Sequence, residues 1–419
     1  MKMQAWFAPL ISTLALVTFG ACGGSTPAPS GATTPAPPPA AAGDARVIKV
    51  VSSLPRTGSA KAQTDTMVDG IKMAIDEAGS KVGEFTIKYE DLDDATAAEG
   101  KWTAERETAN ADQAIKDPDV MAYIGTYNSG AAKVSMPKLN QASILMVSPA
   151  NTWPGLTKPG KGDPGEPEIY RPTGKVNYTR VVPADDLQGV LGADWAKKLG
   201  VQTVFVLDDR EVYGKGIADL FEARALEIGL KVLGHEGIDS KAQEFKPLMT
   251  NIKSRNPDLV YFGGTTQTKA GQVAKDMLAV GLKAKIMVPD GCFEQAFIDS
   301  AGAENLEGRA YITFGGLPPE KLVGKGAEFV ENYRKKYNHE PEAYAVYGYE
   351  SAKVVLEAVA RAGKKDRDAI RAAALTIKDF DGALGKWSFD ENGDTTLRTL
   401  SGQTVKDGKF TFVEVLGGE

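Results

Sequence analysis

From Arg46 onward the chain alternates short apolar runs with segments of helical period, and this alternation restricts the fold more than any other feature. Residues 47–51 read as a strand. Met67, Ile71, Ala74, Ile75 and Ala78 then recur on one helix face. Residues 85–89 form a second strand, running into the acidic Asp91-Leu92-Asp93-Asp94, and a helix over 98–116 leads to strands at 120–124 and 144–147. Repetition of strand and helix builds a parallel, doubly wound sheet. A Gly/Pro-rich excursion at 157–175 interrupts the pattern. A second series follows, with strands at 203–207, 231–234, 259–262, 285–288 and 310–313. Helical segments at 326–337, 343–362 and 367–375 and a hairpin-like end are too few for a third domain and should complete the two units. The expected architecture is α/β: two doubly wound parallel-sheet lobes with a ligand crevice between them. Three crossovers, near 178–186, 313–316 and 375–381, would join the lobes. They divide the chain into 46–180 plus 315–378 and 181–314 plus 379–419.

Ligands of open α/β sheets collect outside the carboxyl ends of the strands. Two successive strand ends here carry small, hydroxyl-rich loops: Gly125-Thr126-Tyr127-Asn128-Ser129-Gly130 and Ser148-Pro149-Ala150-Asn151-Thr152. A helix starting after Ser129-Gly130 would direct unpaired N–H groups at an anion in the crevice. Pro137 should make that helix irregular. Strand ends of the second series offer Asp208 to Gly214, Gly263 to Thr266 and Pro289 to Phe293. Together these loops suit a zwitterion. Thr152, the Ala150 carbonyl and Asp290 can accept from an ammonium, and Ser129 with loop N–H groups can donate to a carboxylate. Tyr127, Trp153, Tyr213 and Phe293 are candidate walls.

Several other functions are disfavoured. A formal charge of −6 and a pI near 5.4 argue against nucleic acid. The two histidines, His235 and His339, stand far apart and show no metal-ligand spacing, so no metal and no cofactor is expected. Gly160, Gly162 and Gly165 match a dinucleotide motif only literally, because no strand precedes them and prolines interrupt them. Ser135-Met136-Pro137-Lys138 lacks the companion signatures of a penicillin-recognising enzyme, and no Ser/His/Asp set stands out. Asp390, Asn392 and Asp394 resemble half a calcium loop, but Ser401 replaces the closing Glu, and an Asn-Gly turn explains them better.

The N-terminus reads as an export signal. Lys2 is followed by an apolar run over 6–20 and then Gly20-Ala21-Cys22, so residues 1–21 should be removed. The Cys at the cleavage point resembles a lipobox, which implies a lipidated Cys22 and an extracytoplasmic, membrane-anchored protein. Residues 22–45 form the tether; its stretch 23–43 has six prolines and no charge. An extended chain of that composition reaches roughly 60 Å at 3.1 Å per residue. Cys292 is then the one remaining cysteine, expected as a packed residue rather than a nucleophile.

The blocks IKVVSSLPRTGSAKA, YIGTYNSGAA, MVSPANT, VPADDLQG, LDDREVYGKGIA, LVYFGG, IMVPDGC and AYAVYGYESAKVV, in this order, resemble the periplasmic-binding-protein type I family, specifically the leucine/isoleucine/valine-type receptors of ABC importers. The resemblance runs from about Val47 to Val415. It implies a monomeric, non-enzymatic receptor that hands a small amino acid to permease subunits. It also implies ligand contacts at Ser129, Ala150, Thr152, Tyr213 and Asp290, with Tyr127 and Asn128 beside them. Gln63 replaces a tyrosine of the family near the first Gly loop, Asn128 replaces a cysteine, and Asp290 is one methylene shorter than the usual Glu. A sensor of the same fold, for an amide or a small organic or aromatic acid, is the alternative.

Overall fold

The computed structural model describes residues 43–418. The expected export signal, Cys22 and nearly all of the tether lie outside this range. The first sheet contains β1 (Val47–Leu54), β2 (Lys81–Val82), β3 (Phe85–Asp93), β4 (Val120–Gly125), β5 (Leu145–Ser148) and β6 (Tyr178–Arg180), in the order β2-β3-β1-β4-β5-β6. All pairings are parallel except β2 with β3 at the edge. Strands β4 and β5 are buried on both faces, which is why they read as continuous apolar runs.

The second sheet begins with β7 (Thr203–Asp208), β8 (Lys231–Gly237), β9 (Leu259–Gly263), β10 (Lys285–Val288) and β11 (Ala310–Phe314), all parallel. After a short hairpin, β12 (Phe380–Gly382) and β13 (Gly385–Trp387), the chain adds β14 (Leu400–Lys406) antiparallel to β11 and β15 (Lys409–Leu416) antiparallel to β14. The order is β15-β14-β11-β10-β9-β7-β8. The sheet is therefore mixed: the expected parallel series ends in an antiparallel hairpin, because the tight Asp407-Gly408 turn leaves no crossover between β14 and β15.

The helices Lys325–Tyr337 and Ala345–Ala362 return to the first lobe. Ala345–Ala362 packs against Lys61–Glu77 so closely that a Cβ at Gly348 would lie 2.3 Å from the Met67 carbonyl oxygen. The β12–β13 hairpin is held to the same helix, with Trp387 Nε1 donating to Glu350 Oε1 at 2.7 Å. Where the chain passes between lobes, the fully buried Arg180 donates to Asp394 Oδ1 at 2.7 Å and to the carbonyls of Asn151 and Trp153. Asp394 follows the expected Asn392-Gly393 turn, in which Asp390 caps the N–H groups of Asn392 and Asp394. The 157–175 excursion is ordered around Glu166, which accepts from Trp153 Nε1, Lys133 and Tyr170. The helix Ser129–Gln141 runs unbroken through Pro137, contrary to the irregularity expected there.

Candidate functional site

The loops after β4 and β5 are locked to one another before they meet anything across the crevice. Asn151 donates to the Tyr127 carbonyl (3.0 Å), and its oxygen accepts from the Thr126 N–H and the Tyr178 hydroxyl. Ser148 Oγ donates to the Thr126 carbonyl and accepts from the N–H groups of Ala150 and Asn151. Arg180, as above, fixes the far side of the second loop. Paired backbone polar groups of this kind hold a loop in one shape, so Ser129, Ala150 and Thr152 are presented on a rigid frame.

Ser129 opens the helix Ser129–Gln141, with Asn128 in the capping position. Its hydroxyl accepts from the Trp153 N–H at 3.3 Å, which joins the two loops again. The first-turn N–H groups of that helix are a ready donor set for a carboxylate.

The facing wall comes from the second lobe. Tyr213, at the start of the helix Val212–Glu227, donates to Asp290 Oδ1 at 2.7 Å and accepts from the Gly291 N–H at 3.1 Å. Asp290 opens the short 3-10 turn Asp290–Cys292 that follows β10. Its other oxygen accepts from the Tyr344 hydroxyl at 2.5 Å. Burial raises the Asp290 carboxyl above its ordinary range, and the hydroxyls of Tyr344 and Tyr213 oppose that rise. Tyr127, Asn128, Ser129, Ala150, Tyr213 and Asp290 all border one cavity, with Thr265, Gly291 and Tyr344 completing it. The space is about 10 Å³, one water position's worth, so a solute enters only when the lobes part. The lobes also meet where the Trp153 ring seats on Gly216, a position at which a Cβ would lie 2.3 Å from the ring. Lys101 pairs with Glu211 across the same boundary at 2.5 Å.

Two of the expected residues sit differently. Gln63 does not border the cavity; it is fully buried, donates to the Phe293 carbonyl (3.3 Å) and accepts from the Tyr344 N–H (3.2 Å). It therefore holds Tyr344 in place. Thr152 stands just behind the lining, its hydroxyl buried and without a hydrogen-bond partner among the described residues. Of the candidate walls, Trp153 packs between Lys133 and Gly216, and Phe293 packs with Phe314 and Phe410. Cys292 is buried, with its thiol directed at the Gly264 carbonyl.

Sequence reasoning missed Tyr344 and Asp185. Tyr344 belongs to AYAVYGYE, where aromatic residues at helical spacing read as core. Asp185, in VPADDLQG, reads as an acidic residue of a helix's first turn. In the fold it is fully buried, and neither oxygen finds a hydrogen-bond partner among the described residues. Burial, and then the charge of neighbouring Asp290, push its carboxyl well above the usual range; the Thr152 hydroxyl lies beside it. Two carboxyl groups thus lie near one another, Asp290 in the cavity wall and Asp185 behind it, and the cation that acts on Asp185, Arg180, is already paired with Asp394. That arrangement suits an ammonium.

A family model described as "Periplasmic binding protein" matches residues 47–409. Among curated proteins, the chain is similar to the Leu/Ile/Val-binding protein homolog 2 of Brucella abortus, 28% identical over 88% of this chain and 93% of that one. It is also similar to the amino acid binding protein of Pseudomonas aeruginosa, 29% identical over 76% and 79%. Among solved structures, a leucine binding protein of Thermotoga maritima superposes with a TM-score of 0.77 at 27% identity, covering 88% of this chain and 99% of that one.

Proposed function

The chain belongs to the periplasmic binding protein family, and from that premise we propose that it captures a small α-amino acid, branched-chain or related, between its lobes and delivers it to the permease of an ABC importer. The protein is a solute receptor of an extracytoplasmic family. One observation carries the ligand reading: a helix N-terminus with Ser129 on one lobe faces the buried carboxyl groups of Asp290 and Asp185, whose nearest cation, Arg180, is already paired with Asp394. An α-carboxylate is stabilised by the first, and an α-ammonium by the second. Ser129 and the loop N–H groups hold the carboxylate; the Ala150 carbonyl, Thr152, Asp185 and Asp290 receive the ammonium; Tyr213 and Tyr344 orient Asp290. Tyr127 and Asn128 face the ligand's side chain. No catalytic role is assigned to any of these residues.

The moving bodies divide near 181, near 315 and between 388 and 400, so that the β12–β13 hairpin travels with the first lobe through its bond to Glu350. The mature protein is held to the membrane by lipid on Cys22 and works as a monomer. Among the described residues no helix is long and apolar enough to cross a membrane. A thermal-shift screen against the common amino acids and small organic acids tests the reading, because a solute that binds only the folded state raises its melting temperature. An α-amino acid should give the largest shift. A benzoate-type acid giving the largest shift, with no amino acid active, would reject the proposal.

A further inference from the structure

Beyond the ammonium and carboxylate subsites, five polar side chains cluster at the end of the cleft where a ligand's side chain would lie. The Tyr127 hydroxyl lies near Gln63, and of the surrounding charges that of Glu294 acts on it most strongly. Glu294 lies beside Thr266, out of hydrogen-bonding geometry. Thr266 precedes Gln267 in the short turn Thr266–Thr268, and Gln267 accepts from Asn128 Nδ2 at 3.2 Å across the lobes. Asn128 follows Tyr127 in the chain. Every member has a buried polar atom with no partner among the described residues: the Tyr127 hydroxyl, both Glu294 oxygens, Thr266 Oγ1, Gln267 Nε2 and Asn128 Oδ1. Glu294 is fully buried, and burial pushes its carboxyl up to about 8.

Buried polar groups are ordinarily hydrogen-bonded, and each exception calls for an explanation. Tyr127 and Asn128 border the inner cavity, Thr266 and Gln267 the outer one, and Glu294 lies behind them, so these neighbouring exceptions share one explanation: they are partners held for a ligand. An aliphatic side chain would leave all of them unpaired, whereas an amide, ureido or guanidino group could pair with several. The Asn128 oxygen and the carbonyl oxygen of the Glu294 carboxyl act as acceptors, and the Thr266 and Tyr127 hydroxyls can turn to accept. The cluster also lies on the route outward. Thr266 and Gln267 border a cavity of about 570 Å³ at the cleft mouth, and Asn128 borders the inner space.

We propose that the ligand is an α-amino acid whose side chain ends in nitrogen donors, and that Asn128, Thr266 and Glu294 select it over an aliphatic one of the same size. This rests on the amino-acid reading above and narrows it. Asparagine and leucine make the sharpest comparison, since a carboxamide replaces two methyl groups at nearly constant shape. Glutamine against methionine repeats the comparison one methylene longer, and citrulline and arginine extend it.

Calorimetric titration of the full chain with these six compounds is the test. The best nitrogen-bearing member should bind its protein about a hundredfold or more tighter than its aliphatic counterpart, since a site built for hydrogen bonds rejects analogues that lack them. The variants Thr266→Val and Glu294→Met should narrow that ratio by about tenfold or more; a ratio does not depend on how much of each variant is folded. Leucine or methionine binding more tightly than every nitrogen-bearing compound would overturn this inference and leave the amino-acid reading standing. So would a ratio that neither substitution changes. Binding by none of the six would remove the amino-acid reading and this inference with it.

Discussion

Replacing Asp290 by Asn removes charge while keeping shape, and the structure gives opposite signs for its effects on binding and on the empty protein. In the structure the carboxylate accepts from Tyr213 at 2.7 Å and from Tyr344 at 2.5 Å. An amide keeps one acceptor oxygen, and the tyrosine hydroxyl facing its nitrogen can turn to accept. The substitution also relieves the repulsion between Asp290 and the buried Asp185. The melting temperature should therefore hold or rise. In the complex, an ammonium enclosed among buried groups would lose one of two counter-charges. Removing one partner of such a pair costs about 2–5 kcal/mol, or roughly 30- to 5,000-fold in affinity. Calorimetry and thermal melts of Asp290→Asn beside Asp208→Asn give both readouts. Asp208 is the control, since its oxygens bind the Arg210 N–H (2.6 Å) and His235 (3.1 Å), outside the cavity. Its variant should bind within about threefold of wild type. Wild-type affinity in Asp290→Asn would refute the assignment of an ammonium to this carboxylate.

Two further outcomes follow from other parts of the chain. Cys22→Ser should move the protein from the membrane pellet to the soluble fraction without changing ligand affinity; retention in the pellet would mean that residues 6–20 remain as an anchor. Asp394→Asn should destabilise the protein by about 3–5 kcal/mol in denaturant melts at neutral pH, because it leaves the fully buried Arg180 without its partner. Burial alone would raise the Asp394 carboxyl, but the Arg180 charge and hydrogen bond hold it below its ordinary value. Its stabilising contribution is thus complete above the unfolded carboxyl's pKa and is lost as pH falls through the lower folded value. The gap between wild type and Asp394→Asn should accordingly shrink in acid; a gap that widens would contradict the pairing.

What could be read from the sequence and what could not separate along physical lines. The loops holding Ser129 and Ala150 were legible because each lies directly after a doubly buried apolar strand, and strand ends of parallel sheets form the crevice. Asp290 and Tyr213 were legible for the same reason on the second lobe, with the family resemblance supplying their roles. Tyr344 was not, because its place depends on the helix Ala345–Ala362 returning to pack beside Lys61–Glu77, where Tyr344 meets Gln63 across 281 residues of chain. Gln63 is expected as a ligand contact only through the family resemblance, in which it takes the place of a tyrosine. In the fold its amide is already used, on Phe293 and Tyr344. Asp185 and Glu294 each have an ordinary local reading, one as a helix-start acid and one as a loop residue. Only burial without a partner distinguishes them, and burial is a property of the tertiary structure.

The central claim is that the ligand is gripped by its α-ammonium between two buried carboxyl groups, and removing that ammonium tests it most directly. The tightest-binding amino acid should be titrated against its deaminated acid and its N-acetyl derivative, which keep the carboxylate and side chain. The account predicts one-to-one binding of the amino acid and a loss of about 30-fold or more for both derivatives. Equal affinity for the deaminated acid would contradict it.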